Sequence, residues 1–298
     1  MPILPQELDG QLSKMPSIAH ELRKIVQAPD FHGVIGAVQA AALAASMGAT
    51  VEHLALELVE VAGLYAVTPI SSYKVGAMGV GLSGALYFGA NLEVAGQPLS
   101  VTVHAEQAAV ANAWGNGERG LRALAISAAP CGYCRQFLYE LIDAATLTIK
   151  LPTKSQPLTG FLPDAFGPGD LGMSGGLMQV QSNGLSVSSP LDDVGAAALV
   201  AANASYSPYT STFAGVALQT SSGLIVTGRY AENAAYNPSL SPLQAALSQL
   251  VLHSQSFSSI ARATLVEAPG IVSQVGATVA VLGSVCAAPL TVYTATVG

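Results

Sequence analysis

His104, Glu106, Cys131 and Cys134 are the residues of this chain whose types and spacing suggest chemistry. They lie in the segments HAE and PCGYC, the histidine and the first cysteine 27 positions apart. One imidazole and two thiolates make a donor set that catalytic zinc accepts, with a fourth position left for water. The thiolates offset the charge of the ion, and water held there loses a proton near neutral pH. Glu106 cannot easily share the metal face that His104 takes. It is placed instead to carry protons beside that water.

The elements that must position these groups can be read around them. LSVTV alternates and reads as extended, and AEQAAVANAW reads as a helix of good formers. His104 and Glu106 then fall at a helix N-terminus. Pro130 is placed to open a second helix, CGYCRQFLYELIDA, with Cys131 and Cys134 in its first turn. Free N–H groups and the helix dipole favour thiolate over thiol there. CGYC alone is also the spacing of a redox dithiol, but the upstream HAE favours a metal. A closed structural zinc site would need a fourth ligand. The remaining cysteine, Cys286, lies in the apolar run VAVLGSVCAAPL, where a buried and inert thiol is expected. His20, His32, His53 and His253 have no comparable neighbours and read as surface or satisfied core residues.

The 298 residues suffice for two ordinary domains. Hydrophobic residues make up 51% and charged ones 10%, so much apolar surface must be buried, some of it between subunits. The net charge is −7 and the sequence pI about 5.1, with eleven Lys and Arg thinly spread. A protein that grips a phosphate backbone shows a basic cluster, so no nucleic-acid partner is expected. MPILPQELDG lacks the basic region and apolar core of a secretory leader. The apolar run GVIGAVQAAALAASMG contains Gln39 and is too short to span a membrane. With two of three cysteines assigned to metal, no disulfide framework remains. A reduced, cytoplasmic protein without membrane contact is predicted.

Residues 1–66 read as helices near 7–27, 37–47 and 51–66, and packing is their default role. From Pro69 the pattern changes. YKVGAMGVGLSGALYFGANLEV reads as two strands with a glycine-rich turn, then come the HAE helix, the strand LRALAISAA, the CGYC helix and the strand TLTIKL. This predicts a three-layer α/β/α domain over 67–173. TGFLPDAFGPGDLG is a loop, and 174–190 reads as a linker. A second unit over 191–298 opens with the helix LDDVGAAALVAANASY and repeats the first. Pro69 and Pro208, Gly76 and Gly215, Glu93 and Glu232, and Pro130 and Pro269 are each 139 apart; Gln107 answers Gln244 after a two-residue slip. His104 then falls near Ser241, and Glu106, Cys131 and Cys134 fall against Leu243, Gly270 and Ser273. None of these can hold zinc, so one metal per chain is expected, in the first copy.

H-x-E…P-C-x-x-C is the signature of zinc deaminases acting on nucleobases. With the inert second copy and the PDAFGP loop, the chain from about residue 50 onward resembles the cytidine deaminase family in its dimeric, two-domain form. The resemblance implies hydrolytic deamination of cytidine and deoxycytidine in pyrimidine salvage. His104, Cys131 and Cys134 would hold Zn²⁺, zinc-bound hydroxide would attack C4 of the pyrimidine, and Glu106 would serve as base and acid. The backbone near Ala105 would hold the base edge, and Asn91 and Glu93 match the pair that reads the ribose 3′-hydroxyl. Tyr73 falls where the family commonly has a Phe stacked on the base. Phe166 of the partner chain would pack on the base across a homodimer interface. ENAAY is similar to a segment that meets the 5′-hydroxyl of a neighbouring subunit's substrate in single-domain relatives. This implies that Ala234 and Tyr236 complete the partner chain's site.

Two rivals stand beside a nucleoside deaminase. One is a deaminase of a nucleotide or of polynucleotide cytosine; a 5′-phosphate would want a cation near Tyr236, and Arg229 is close in sequence. The other is a catalytically silent nucleoside-binding protein, for which an intact Glu106 would have no use.

Overall fold

The computed structural model describes residues 3–298. The N-terminal part holds α1 (Pro5–Leu12), α2 (Ala19–Val26), β1 (Val34–Ile35), α3 (Ala37–Ser46), α4 (Val51–Glu57) and α5 (Val59–Gly63). Then come β2 (Gly76–Gly81), β3 (Leu86–Ala90), α6 (Ala105–Gly115), β4 (Leu121–Ile126), α7 (Gly132–Leu138), β5 (Thr148–Leu151), β6 (Lys154–Pro157) and α8 (Leu158–Phe161). After β7 (Leu185–Ser186) follow α9 (Asp193–Asn203), β8 (Ala214–Thr220), β9 (Ile225–Arg229), α10 (Pro242–Leu252), β10 (Ile260–Glu267), α11 (Val275–Val285), β11 (Leu290–Thr294) and β12 (Thr296–Val297).

The first sheet has the order β1-β3-β2-β4-β5-β6, and the second β11-β10-β8-β9. Their shared core is the same arrangement twice. A central strand lies antiparallel to two neighbours, and the third strand then runs parallel to the fourth across a helical crossover. Glycines show why each sheet carries helices on both faces. Ala77 pairs with Gly89 and Gly76 with Ala90, so Gly76 and Gly89 face opposite sides of the sheet. A Cβ on Gly76 would lie 1.8 Å from the Val59 carbonyl of α5, and one on Gly89 would lie 2.2 Å from the Ala105 carbonyl of α6. The second copy repeats both approaches: Gly215 meets the α9 backbone and Gly228 that of α10. These four positions admit no side chain, and the three-layer packing depends on that.

By the same comparison, α4 and α5 fill in the first copy the place that α9 fills in the second. The two-residue slip falls in the loop between Glu93 and His104. There LSVTV is not a strand: Leu99–Val101 is a 3₁₀ turn after Pro98, and only Val103 pairs, with Leu92. Proline fixes its own φ and has no N–H to give a ladder. The CGYC helix is also shorter than expected. It ends at Leu138 because the backbone of Glu140 and Ile142 pairs with Leu177 (2.8 and 3.0 Å). Leu177 is fully buried and β7 pairs with β12, so the 174–190 segment packs against both copies rather than trailing between them. Cys286 is half-buried at the C-cap of α11, not buried as expected.

Helices α6 and α10 carry no solvent-facing polar side, and Ala105–Trp114 and Pro242–Leu252 are buried throughout. Such helices belong in the centre of a protein. They pack against each other and join the two copies into one continuous core. Among the described residues, no helix is long and apolar enough to cross a membrane.

Candidate active site

His104 is the N-cap of α6, and Cys131 the N-cap of α7. The first turn of each helix offers backbone N–H groups, and at α7 the Cys131 sulfur accepts from the N–H of Cys134 at 3.4 Å. His104 Nδ1 lies 3.6 Å from Cys131 Sγ, which is 3.5 Å from Cys134 Sγ. All three donor atoms lie within 4.8 Å of one another. A tetrahedral zinc with sulfur at about 2.3 Å and nitrogen at about 2.0 Å separates its donors by about 3.5–3.8 Å. The donor set and its spacing fit that ion. The Tyr133 ring, between the two cysteines in sequence, stacks on His104 at 5.6 Å and 28°.

The electrostatics suit a metal site with a carboxylate beside it. Cys131 is brought down to about 5 by the neighbouring Cys134 thiol, with help from the Cys134 N–H and His104. Cys134 is pushed up by the Cys131 sulfur, burial and the nearby Glu106. Glu106 is 3% exposed, and burial pushes its carboxyl above the usual range.

The site opens into a cavity of about 300 Å³ lined by Ser71, Tyr73, Val75, Asn91, Glu93, Thr102, His104, Ala105, Glu106, Ala128, Ala129 and Cys131. No lysine or arginine is among these lining residues. Asn91 accepts from the Val75 N–H (2.8 Å) and donates to the Tyr73 carbonyl (2.9 Å), so it fixes the strand entry beside which Tyr73 stands 62% exposed. Glu93 accepts from the N–H groups of Ile70 (2.8 Å) and Ser71 (3.0 Å) and from the Ser71 hydroxyl. Glu232 does the same for Tyr209 and Thr210 in the second copy, while Tyr230 replaces Asn91. Glu93 thus has a structural task shared by both copies, and Asn91 belongs to the metal-bearing copy alone.

Phe166, Ala234 and Tyr236 do not line this cavity. They are gathered elsewhere on the same chain by Gln136 of α7, which donates to the Phe166 carbonyl (2.7 Å) and to Asn233 Oδ1 (3.4 Å), while Asn233 donates back to the Gln136 carbonyl (3.0 Å). The Phe166 and Tyr236 side chains are 45% and 66% exposed. The N–H of Ala234 is committed to Glu140 at 2.8 Å, which leaves its carbonyl to offer elsewhere. Arg229 is not a free cation near Tyr236. It lies over Trp114 at 5.1 Å and donates to the carbonyls of Trp114 (2.9 Å) and Gly115 (3.5 Å) at the end of α6.

Residues 49–149 and 158–279 match two family models, each described as the cytidine and deoxycytidylate deaminase zinc-binding region. The cytidine deaminase of Vibrio cholerae is 45% identical over 278 residues, covering 92% of this chain and 94% of its own. That of Vibrio vulnificus is 45% identical over 266 residues, covering 89% and 90%. This chain belongs to the cytidine deaminase family. The crystal structure of the Mycobacterium tuberculosis cytidine deaminase is 32% identical and matches 39% of this chain and 96% of its own, with a TM-score of 0.36.

The deaminase is a zinc-dependent enzyme that hydrolyses cytidine to uridine and ammonia. Sequence reasoning passed over Tyr133, Gln136, Asn233 and Glu140, which tie the cytidine deaminase's metal-bearing copy to its inert one. Local sequence held no sign of Glu140, whose partners are 66 to 94 positions away. Gln107 and Gln244 did leave a signal, because they recur in the repeat.

Proposed function

We propose that the enzyme deaminates free cytidine and deoxycytidine in the cytoplasm, for pyrimidine salvage, as a homodimer with sites completed across the subunit interface. The observation that carries this reading is a ligand triangle of imidazole and two sulfurs opening into a cavity of nucleoside size, with Glu106 beside it and the Asn91–Glu93 pair at its other wall. His104, Cys131 and Cys134 would hold the zinc, which when bound polarises the attacking water. Glu106 takes the water's proton and gives it to ring N3, then takes the proton of the hydroxyl added at C4 and passes it to the amine, which leaves as ammonia while the C4 carbonyl forms. A buried carboxyl held above the usual carboxylate range suits both roles.

The hydrogen bonds that Asn91 and Glu93 already make pre-organise them without exhausting them. One Asn91 N–H and one lone pair on Glu93 Oε1 remain, a donor and an acceptor for one sugar hydroxyl. The ring of Tyr73 stacks on the base, and the Ala105 backbone meets the base edge. Phe166, Ala234 and Tyr236 serve the partner's site. Their clustering around Gln136 and the exposure of both aromatic rings support this role. The packing of α4 and α5 supports a catalytic unit that starts near residue 49 rather than 67.

A cavity lining without lysine or arginine, and an Arg229 spent on Trp114, favour the nucleoside over a nucleotide or polynucleotide. The test is ammonia release by the zinc-loaded protein from cytidine, deoxycytidine, cytosine, deoxycytidine monophosphate and single-stranded DNA. Turnover of the two nucleosides alone is expected. Preference for the nucleotide or DNA would overturn the reading of the pocket.

A further inference from the structure

Glu140 is fully buried just beyond the end of α7, the helix whose first turn carries both zinc cysteines. Among the described residues, the hydrogen bonds to its side chain all come from the second copy. Oε1 accepts from the hydroxyls of Tyr206 (2.8 Å) and Tyr209 (2.5 Å), and Oε2 accepts from the backbone N–H of Ala234 (2.8 Å). Burial beside this carboxylate pushes both phenols up, so they remain O–H donors. A buried charge left without such donors would be strongly unfavourable, so the three bonds act as one unit.

Two of them lead to Tyr236. The Tyr209 ring lies 6.4 Å from the Tyr236 ring, and Ala234 is two residues before it. Tyr236 holds a left-handed backbone, φ 63°, which a bulky residue adopts only when its surroundings enforce it. The Ala234 N–H fixed on Glu140, the Tyr236 N–H on the Asn233 carbonyl (2.8 Å), and the packed Tyr209 ring are those surroundings.

We propose that Glu140 is a positioning residue: from the zinc-bearing helix it sets the shape of the Ala234–Tyr236 arm, and so the recognition of the nucleoside's 5′-hydroxyl in the site that the arm serves. This rests on the reading above that the arm meets that hydroxyl. Glu140 touches neither substrate nor metal. Its effect is on sugar recognition and leaves the chemistry at the base alone.

The experiment compares cytidine with 5′-deoxycytidine, which lacks the hydroxyl, in wild-type, Tyr236→Phe and Glu140→Gln enzymes checked for zinc content and dimer mass. The ratio of kcat/KM for the two substrates is the readout, because loss of general packing lowers both rates together. The ratio is expected to fall about five- to ten-fold in both variants, the scale of one lost hydrogen bond. A fall in Tyr236→Phe with none in Glu140→Gln overturns the positioning role and leaves the arm reading standing. No fall in Tyr236→Phe overturns the arm reading, and the proposal with it. If Glu140→Gln does not fold, Tyr209→Phe removes one of the three donors and keeps the ring. A smaller fall in the ratio there supports the proposal, and an unchanged ratio overturns it.

Discussion

Gln107 and Gln244 stand at the third position of α6 and α10, and each reaches across to the loop in front of the other's helix. Gln107 accepts from the His104 N–H (3.1 Å) and donates to the Pro238 carbonyl (3.2 Å). Gln244 accepts from the Ser241 N–H (3.0 Å) and donates to the Val101 carbonyl (2.7 Å). Val101 and Pro238 are themselves equivalent under the repeat, so the exchange is reciprocal, about an internal pseudo-two-fold. The inert copy keeps its capping glutamine because that residue braces the loop leading into the metal-bearing helix.

Replacing Gln244 with Leu leaves the Val101 carbonyl and the Ser241 N–H without these partners. A loss of about 1–3 kcal/mol is expected, seen as a lower thermal midpoint with zinc stoichiometry unchanged. Gln107→Leu is expected to lose similar stability and to bind zinc more weakly as well, because it caps the residue that supplies the imidazole. Calorimetry and metal analysis on the two variants separate these effects. Equal zinc affinity in both would show that the cap does not orient His104.

What could be read in the sequence was whatever is local or repeated. The four chemical residues lie within two helix starts, where capping chemistry and ligand spacing are visible in a few letters. The 139-residue offset exposed the duplicated fold because the buried glycines and the turn-holding Glu93 and Glu232 recur for backbone reasons. The contacts between copies were not legible. Glu140 meets Tyr206, Tyr209 and Ala234 only after both copies have folded, and no periodicity marks a residue whose partners are so distant. LSVTV misled because its alternation was real, whereas Pro98 and the turn after it decided the backbone.

Glu106→Gln keeps the size of the side chain and removes its base. The variant is expected to retain one zinc per chain and its thermal midpoint, while kcat falls by about 10²–10⁴ or more. Metal analysis beside ammonia release checks it. Substantial turnover would place the proton shuttle on another group.

Removing the metal with a chelator is expected to abolish activity and leave the helical circular dichroism unchanged, because the core built on α6 and α10 does not pass through the ligands. Added zinc should restore turnover in the wild type. Cys134→Ala removes the buried one of the three proposed ligands and should not be restored at the same zinc concentration. The thermal midpoint of the loaded enzyme should also rise with free zinc, as for any ligand that binds the folded state alone.

Glu140 gives a pH dependence of known sign. Burial raises its carboxyl above the usual 4.5. A raised carboxyl contributes stability that is fully present below the unfolded value and is lost as pH rises through the folded one. The wild type should therefore lose this increment between about pH 4.5 and its higher folded value, while Glu140→Gln, which does not titrate, should not. Thermal midpoints of both, measured from pH 4.5 to 8, should diverge in favour of the variant as pH rises, whatever their offset at the acid end. A constant difference would mean that Glu140 ionises as freely in the folded protein as in the unfolded chain.

The second copy has lost more than its ligands. Gly270 stands where Cys131 stands in the first copy, and a Cβ there would lie 2.0 Å from the Thr212 hydroxyl oxygen. Thr212 is fully buried and takes the place of Tyr73, so the room that the first copy leaves for a substrate is filled by side chain. Glu267 meanwhile accepts from the Ser273 hydroxyl (2.8 Å) and the Gln274 N–H, occupying the turn that a second thiolate would need. Gly270→Cys alone is expected to lose about 1–3 kcal/mol by overpacking. Restoring all four residues, as Ser241→His, Leu243→Glu, Gly270→Cys and Ser273→Cys, should still leave one zinc per chain by metal analysis. Two zinc ions per chain in that variant would show that the second fold had kept its site open and lost only the ligands.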